Sequence, residues 1–401
     1  MKILFLTLVN IVSLNERNIY SDLMRWFRAA GHELFIVSPA ERVTNLGTQL
    51  IDDQGAKILK IRSLNIQKSY LLEKVASTLL IEHQFLSGIK KHFSGIHFDL
   101  VLYSTPPITL TRVIKFIKSR DNASSYLLLK DIFPQNALDL GMMRKGGIFH
   151  WYFRRKEKKL YRISDYIGCM SPANVRYLLM HNPDIKSHKV EVNPNTIEPD
   201  ILKSDADEIR KIREEYGIPV DSIVFIYGGN LGKPQGLTSL LQVLESNLNR
   251  EEVFFIITGS GTERFMIEDW FISKRPRNSI LLQFLPRPEF DRLVRSSDVG
   301  LIFLDPRFTI PNFPSRLLNY FEYRLPVLAA TDCNTDIGSI IEENQMGLWC
   351  KNGDIGSINK AINEFISDKS KISMMGANGH AYLLKNWTVD ISAQLIMNHF
   401  N

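Results

Sequence analysis

The chain has 401 residues, which is too long for one ordinary hydrophobic core, so we expect at least two domains. Hydrophobic residues make up 44% and charged residues 23%, which excludes an intrinsically disordered chain. The net charge of +6 is uneven, with +10 in residues 1–200 and −4 in residues 201–401, so we expect the first half to face an anionic partner.

Six short apolar segments rich in β-branched residues predict strands in the first half: residues 3–9, 34–39, 56–61, 99–104, 125–130 and 166–171. Residues 19–32 carry apolar side chains three and four positions apart, which predicts a helix ended by Gly31. The first segment resembles a signal peptide, but Asn10 interrupts it and only Lys2 is basic, so we interpret it as a buried strand. No apolar run reaches membrane-spanning length.

The alternation of strand and helix restarts after a polar stretch at 198–215. Strands are predicted at 222–229, 253–261, 279–285, 299–304 and 326–332, and helices at 237–248, 288–298 and 314–324. Such alternation predicts parallel sheets with helices on both faces and ligands beyond the carboxyl ends of the strands. The break in mid-chain favours an α/β protein of two Rossmann-like lobes with a cleft between them over a TIM barrel. Three single cysteines argue against disulfides and a zinc knuckle and fit a reducing compartment.

Two motifs in the second half suit a phosphate ligand. The strand at 222–229 runs into a glycine-rich turn, residues 228–236, before a helix, and such turns let a backbone approach phosphate closely. At 311–328, Pro314 and Ser315 precede Arg316 at the start of a helix, which offers amides and a guanidinium to a diphosphate. Asn319, one turn later, is expected on the same side, where it could bind a ribose. Either motif could also be purely structural.

These motifs resemble those of the GT-B fold, family-4 retaining glycosyltransferases, especially bacterial enzymes of capsule and O-antigen polysaccharide biosynthesis. The resemblance covers nearly the whole chain through STPP, KDIFPQNALDLG, GGNLGKPQG, TGSG, LPRPEFDRLVRSSDVGLIFL and PSRLLNYFEYRLPVLA. It implies an acceptor-binding lobe at 1–200 and a nucleotide-sugar-binding lobe at 201–375. It also implies that a helical segment at 376–401 packs back on the first lobe.

The resemblance also implies the donor residues. The basic pair of the family falls on Asn230 and Gln235, so Lys233 and Arg316 are the only nearby cations expected to neutralise the diphosphate. The paired glutamates of the family fall on Pro311 and Asn319, and a glutamate at 319 should be tolerated. The implied donor-binding set is Gly229, Asn230, Gly232, Gln235, Gly259, Leu285, Pro286, Asn312, Phe313, Pro314, Ser315 and Asn319. Within it, Leu285 and Pro286 resemble the loop that reads the nucleobase, and the Asn312 and Phe313 amides could replace the missing first glutamate.

In the first lobe, Lys130 aligns with a common histidine of the family and could stabilise the leaving phosphate, with Asp131 beside it. The two could equally form a structural pair. Asn15 and Arg17 lie in the expected acceptor loop. The catalytic candidates are therefore Lys233, Arg316, Lys130 and Asp131. We expect no metal, since no suitable D-x-D motif is present, and no cofactor, since the nucleotide sugar is a substrate.

Residues 144–162 carry eight basic residues and one acid, interleaved with Ile148, Phe149, Trp151, Tyr152 and Phe153. A helix here could lie on anionic lipid with its aromatic side chains inward and its cations at the headgroups. A structural helix with a solvated basic face is the alternative. Nucleic acid is not expected as a partner, because no nucleic-acid-binding module accompanies the segment.

Together these features predict a transfer, with retained configuration, from an NDP-sugar, UDP-linked by preference, to a lipid-linked saccharide. We expect the enzyme in the cytoplasm, bound peripherally to the inner face of the plasma membrane. Two alternatives stay open: a GT-B sugar-nucleotide 2-epimerase, and a catalytically silent subunit that binds a sugar nucleotide.

Overall fold

The computed structural model describes residues 1–65, 71–200 and 205–400. They form two compact units, one of residues 1–198 with the chain from Val389 onward, and one of residues Pro199–Thr388. Residues 201–204, where the second lobe is predicted to begin, lie outside the described residues.

The first unit contains a sheet with a helix after most strands. Its strands are β1 (Lys2–Leu6), β2 (Glu33–Glu41), β3 (Gln49–Asp53), β4 (Ala56–Ser63), β5 (Leu100–Ser104), β6 (Ser124–Leu129), β7 (Tyr166–Cys169) and β8 (Val190–Val192). Its helices are α1 (Ile19–Ala29), α2 (Leu71–His92), α3 (Thr111–Asp121), α4 (Gln135–Asp139), α5 (Ile148–Ile163) and α6 (Pro172–His181). Asn18 caps α1, since its side chain accepts from the amides of Tyr20 and Ser21.

In the described part of the first unit, the strand order is β3-β4-β2-β1-β5-β6-β7-β8. Every pairing is parallel except that of β3 with β4 at the edge of the sheet, so the predicted parallel sheet is present with one antiparallel edge strand. The six predicted strands are present. Strands β3 and β8 were not predicted. The first is polar and half-exposed and the second has three residues, so neither shows the long apolar run of a buried strand.

The second unit is a smaller sheet of the same kind. Its strands are β9 (Ile223–Asn230), β10 (Val253–Ser260), β11 (Ser279–Leu282), β12 (Val299–Phe303), β13 (Val327–Thr331) and β14 (Gly347–Lys351). Its helices are α7 (Ala206–Glu215), α8 (Leu237–Ser246), α9 (Arg264–Lys274), α10 (Arg287–Arg295), α11 (Arg316–Glu322), α12 (Ile337–Glu343), α13 (Ile355–Ser367) and α14 (Lys369–Asn386).

The strand order of the second unit is β11-β10-β9-β12-β13-β14, and every pairing recorded between described residues is parallel. Central strands such as β9 and β12 are buried on both faces, because helices cover the sheet on each side. The chain therefore starts at β9, moves outward to β11, and returns to β12 on the other side of β9.

The carboxyl-terminal segment is divided between the units, which corrects the predicted return at 376. Helix α14 packs in the second unit, where a Cβ added to Gly376 would lie 1.9 Å from the carbonyl oxygen of Arg324. The return begins with α15 (Val389–Met397), whose Ala393, Ile396 and Met397 join the core of the first unit. Trp26 of α1 donates to Asp390 at 2.8 Å and fixes the start of α15. No helix among the described residues combines the length and hydropathy needed to cross a bilayer.

We expect Ile396→Ala to lower the free energy of unfolding of the first unit by about 2–5 kcal/mol, because the side chain is fully buried. Urea unfolding followed by circular dichroism measures the change. Gln394→Ala, on the exposed side of α15, is the control and should leave the transition in place. Equal midpoints for the two variants would contradict the packing of α15 described here.

Candidate functional site

The carboxyl edge of the second sheet has one point where the strand order reverses, between β9 and β12. Ligands of open parallel sheets bind at such a point, because the loops after the two strands diverge and leave a crevice. The glycine turn after β9 and the segment before α11 both lie at this edge. The fold thus brings together the two motifs that the sequence analysis selects.

The glycine turn exposes its backbone. Gly229 has φ of 123°, a conformation that favours glycine, and both Gly229 and Asn230 are exposed. Gly229 pairs with Gly259 of β10, where an added Cβ would lie 1.9 Å from the Gly229 carbonyl oxygen. Side chains at 229 and 259 are therefore excluded, and the turn after β9 can approach a ligand with its main chain.

Arg316 lies against this turn. Its Nη2 donates to Gln235 Oε1 at 2.7 Å and lies 3.5 Å from the position of a Cβ added to Gly229. The guanidinium carbon stands 4.5 Å from the centre of the Tyr227 ring, a cation–π contact. Its Nη1 is buried and has no hydrogen-bond partner, and no ion pair joins Arg316 to a carboxylate within the described ranges.

This arrangement favours an anionic ligand. A cation withdrawn from water is costly unless a counter-charge compensates it. Arg316 is half-buried, and among the described residues its guanidinium meets a neutral amide and an aromatic ring but no carboxylate. An anion at Nη1 would supply the missing charge and the missing acceptor.

Lys233 begins the 3-10 turn Lys233–Gln235 and is exposed. Burial raises the pKa of the nearby Glu263, and the positive charges of Lys233 and Arg307 oppose that rise. Arg307 forms two hydrogen bonds with Asp305, at 2.8 and 2.7 Å, and its side chain is half-exposed. Arg307, from the loop after β12, is thus a third cation near Glu263, and the roles of Lys233 and Arg316 at a diphosphate stay a prediction.

Asn319 faces α10. Its Nδ2 donates to Asp291 Oδ1 at 3.1 Å, and its buried Oδ1 has no partner. Arg287 donates to both oxygens of the same Asp291, at 2.8 and 2.7 Å. Arg316 and Asn319 thus contact different elements, Gln235 after β9 and Asp291 of α10, and a ribose at Asn319 stays a prediction. A glutamate at 319 would also bring a second carboxylate against Asp291, so we no longer expect it to be tolerated.

The segment before α11 is fixed from several directions. Phe313 is buried, with its ring 5.6 Å from that of Trp387, and the carbonyl of Asn312 accepts from Thr335 Oγ1 at 2.7 Å. The Nδ2 of Asn312 is buried and unpartnered. Pro314 is half-buried and Ser315 is exposed just before α11, whose seven residues form a short helix.

The loop after β11 is tied to the glycine turns. Thr258 Oγ1 donates to the carbonyl of Gln283 at 2.7 Å, and Arg264 Nη1 donates to the carbonyls of Gly259 and Leu282 at 2.6 and 3.0 Å. These bonds hold the loop of Leu285 and Pro286 while Phe284 stays 68% exposed. Sequence reasoning misses Phe284 and Arg264, although a large apolar residue within a predicted base-reading loop is a usable signal.

In the first unit, the predicted catalytic pair has structural partners. Lys130 Nζ donates to the carbonyls of Asn193 and Pro194 at 3.2 and 3.0 Å, and burial lowers the pKa of Lys130 to about 7. Asp131 accepts from Asn136 Nδ2 through both oxygens, at 2.8 and 2.7 Å. A catalytic role for either residue stays a prediction.

The predicted acceptor loop follows β1. Arg17 Nη2 donates to the carbonyl of Glu198 at 2.6 Å, and Asn15 Oδ1 accepts from Gln54 Nε2 at 2.8 Å. Lys60, which sequence reasoning misses, lies buried beneath the loop and donates to the Ile11 carbonyl at 3.0 Å. Burial lowers the pKa of Lys60 to about 8. Asn15 is exposed, so it remains accessible to a ligand.

Within the described part of the chain, no group of three or more His, Cys, Asp and Glu side chains is placed to hold a metal ion.

Residues 208–382 match the sequence profile of the family Glycosyl transferases group 1. Most of the second unit is therefore similar to a glycosyl transferases group 1 domain. The match includes the turn after β9, the TGSG turn and the segment around Arg316. The anion-binding features described above therefore lie inside the glycosyltransferase domain.

Two relatives carry glycosyltransferase names. Over 313 residues the chain is 23% identical to the Pseudomonas aeruginosa protein named glycosyltransferase WbjE, covering 77% of this chain and 76% of the relative. It is 25% identical over 250 residues to Escherichia coli K12 WcaI, whose name describes a colanic acid biosynthesis glycosyl transferase. That alignment covers 61% of this chain and 60% of WcaI.

Solved structures show the same fold. Sucrose-phosphate synthase from Thermosynechococcus elongatus superposes with a TM-score of 0.79 at 14% identity, covering 100% of this chain and 98% of the other. Anabaena HepE, solved in complex with UDP, superposes with a TM-score of 0.73 at 15% identity, covering 100% and 99%. The chain therefore has the GT-B fold, and with its group 1 domain it is a glycosyltransferase.

Gln235 holds Arg316 in this glycosyltransferase domain, so Gln235→Leu should destabilise the second unit. The variant removes the amide oxygen that accepts from Arg316 Nη2, which should cost about 1.5–3 kcal/mol, as for a hydrogen bond to a charged group. Thermal unfolding without ligand measures the loss. Thr238→Leu, at a nearby exposed position, should unfold like the wild type. If Gln235→Leu does the same, the contact with Arg316 contributes nothing to stability.

Proposed function

We propose that this glycosyltransferase moves a sugar from a UDP-sugar to a lipid-linked saccharide in cell-surface polysaccharide biosynthesis. The observation that carries the donor assignment is the buried, unpartnered Nη1 of Arg316 beside the exposed backbone of Gly229. A diphosphate supplies the charge and the acceptors that this nitrogen lacks, whereas a neutral ligand leaves the charge uncompensated. The complex of HepE with UDP supports uridine as the nucleoside, and the name of WcaI supports polysaccharide as the product.

The proposed donor pose follows the sheet edge. The diphosphate lies over the turn after β9, between Arg316 and Lys233, and the base lies at the loop of Leu285 and Pro286. Strand β11 is two positions from β9, or roughly 10 Å at about 4.8 Å between neighbouring strands. A ribose bridges a diphosphate and a base over a distance of that order. The exposed ring of Phe284 is then available to stack on the base.

The proposed reaction breaks the bond between the anomeric carbon and the diphosphate oxygen. An acceptor hydroxyl forms the new bond on the face that the diphosphate leaves, so the configuration is retained, and the hydroxyl proton passes to a diphosphate oxygen. Arg316 and Lys233 stabilise the charge that develops on the leaving group, which is the main requirement of such a step. The acceptor approaches the loop of Asn15 and Arg17 in the first unit.

We place this reaction in the cytoplasm at the inner face of the plasma membrane, because a lipid-linked acceptor is confined to a bilayer and a nucleotide sugar is a water-soluble donor. This placement rests on the proposed acceptor.

The decisive assay incubates the full chain with a radiolabelled UDP-sugar and a lipid extract that contains lipid-linked saccharides. We expect Arg316→Ala to lower kcat/KM at least ~100-fold, which is about 2.7 kcal/mol of transition-state stabilisation. Arg277→Ala, at an exposed position of the same unit, is the control and should turn over normally. Near-normal turnover of a folded Arg316→Ala variant would remove Arg316 from the site. Recovery of the label in a nucleotide sugar whose sugar has been epimerised would favour the epimerase. Binding of the nucleotide sugar without turnover would favour the silent subunit.

Gln235→Glu tests the charge argument directly. A carboxylate at 235 would neutralise Arg316 in place of the ligand, so the unliganded protein should become more stable. UDP should then bind more weakly, by on the order of 10-fold, because it must displace a paired charge. Calorimetric titration with UDP and thermal unfolding without it measure the two effects. Tighter UDP binding by Gln235→Glu would contradict a diphosphate at Arg316.

A further inference from the structure

Large apolar side chains are exposed on the first turn of α5 and near the end of α6, a helix that α5 contacts. On the first turn of α5, Ile148 is 85%, Phe149 57% and Trp151 60% exposed. Met180, 75% exposed, lies near the end of α6, and Arg154 of α5 donates to the carbonyl of the next residue, His181, at 2.8 Å. This apolar tip, defined as Ile148, Phe149, Trp151 and Met180, is larger than the single exposed side chains normal for a soluble surface.

The tip is followed by cations along the same side of α5. Residues Phe153, Glu157, Leu160 and Tyr161 are buried and mark the inner face of the helix. On the opposite face, Arg155 and Lys159 are exposed at four-residue spacing after Trp151. With a rise of 1.5 Å per residue, Lys159 stands about 12 Å from Trp151 along the axis. The guanidinium carbon of Arg155 lies 5.5 Å from the centre of the Trp151 ring, so this cation borders the apolar tip, and Lys159 follows one turn later. The cations thus follow the apolar side chains along the helix, whereas the sequence predicts that the two kinds of side chain lie on opposite faces.

Several of the basic residues have internal partners, which reduces the set that can meet a ligand. Arg154 pairs with Glu157 and donates to Asn182 at 2.9 Å, and Lys156 Nζ lies 2.9 Å from Glu82. Arg162 pairs with Asp184 at 2.7 Å. The exposed set is therefore Arg144, Lys145, Arg155 and Lys159, which we name the basic collar.

We propose that the apolar tip inserts among the acyl chains of an anionic bilayer while the basic collar contacts lipid phosphates. Cations precede and follow the tip in sequence, and they favour an anionic surface over a neutral one. Lys159 lies about 12 Å from Trp151 along the axis, which suits a helix that enters the interface at its amino-terminal end. The net charge of +10 in residues 1–200 agrees in sign. The proposal goes beyond the donor chemistry and rests on the proposed function only in expecting a lipid-linked acceptor.

The test measures cosedimentation of the full chain with vesicles of phosphatidylcholine, either alone or with about 30% phosphatidylglycerol as the anionic lipid. Arg155→Gln with Lys159→Gln should lower the partition coefficient roughly 30-fold at low salt, as expected for two charges near a surface. Arg275→Gln with Arg277→Gln, both exposed in the second unit, should not lower it. Ile148→Ser with Trp151→Ser should lose the binding that survives high salt, whereas Ile272→Ser, an exposed apolar site elsewhere, should not.

Brominated acyl chains report insertion itself. Wild-type tryptophan fluorescence should be quenched by brominated anionic vesicles, and Trp151→Phe should bind them as well but lose the quenching. Three outcomes would overturn the proposal: no vesicle binding by the wild type at low salt, equal losses in the two charge variants, or self-association that the tip variants abolish without any vesicle binding. Calorimetric UDP affinity is measured on the same variants. The tip belongs to the first unit and the donor residues to the second. Unchanged UDP affinity with lost vesicle binding therefore separates a failure of docking from a failure of the proposed function.

Discussion

The binding edge of the second unit is organised around the guanidinium of Arg316, which has no counter-charge in the part of the chain that the structure describes. Arg316 is held by the amide oxygen of Gln235 and the ring of Tyr227, and both partners are neutral. A carboxylate in either place would make a satisfied ion pair and remove the attraction for an anion. The protein thus keeps the positive potential of Arg316 available beside a turn whose glycines expose backbone amides.

The same reasoning applies to positions 235 and 319, where the resemblance implies a basic and an acidic residue and this chain has glutamine and asparagine. At 235 a lysine would repel Arg316, whereas glutamine accepts its hydrogen bond. At 319 asparagine donates to Asp291 of α10, and Arg287 pairs with both Asp291 and Glu322 of α11. Carboxylates of both helices therefore lie in this region, although residue 319 itself is neutral.

The two ends of the donor pose are connected mechanically through the sheet. Arg264 bonds the carbonyls of Gly259 and Leu282, and Thr258 bonds the carbonyl of Gln283. The glycine turns and the loop that carries Phe284 are therefore held in one frame. Such rigidity favours binding, because little conformational entropy remains to be lost when a ligand spans both loops.

The two α/β halves, most of the strands and the two loops of the candidate donor site could be predicted from the sequence, because apolar periodicity and glycine-rich turns are local properties of the chain. Arg316 and the exposed apolar residues of α5 could be selected in the same way. Which polar groups meet could not be predicted and depends on the tertiary structure. It paired Asn319 with Asp291, gave Lys130 and Arg154 structural partners, brought Arg307 near Lys233, and placed the return to the first unit at Val389. Those outcomes depend on contacts between residues far apart in sequence, and their geometry is set by strand order and helix packing, which no local pattern encodes.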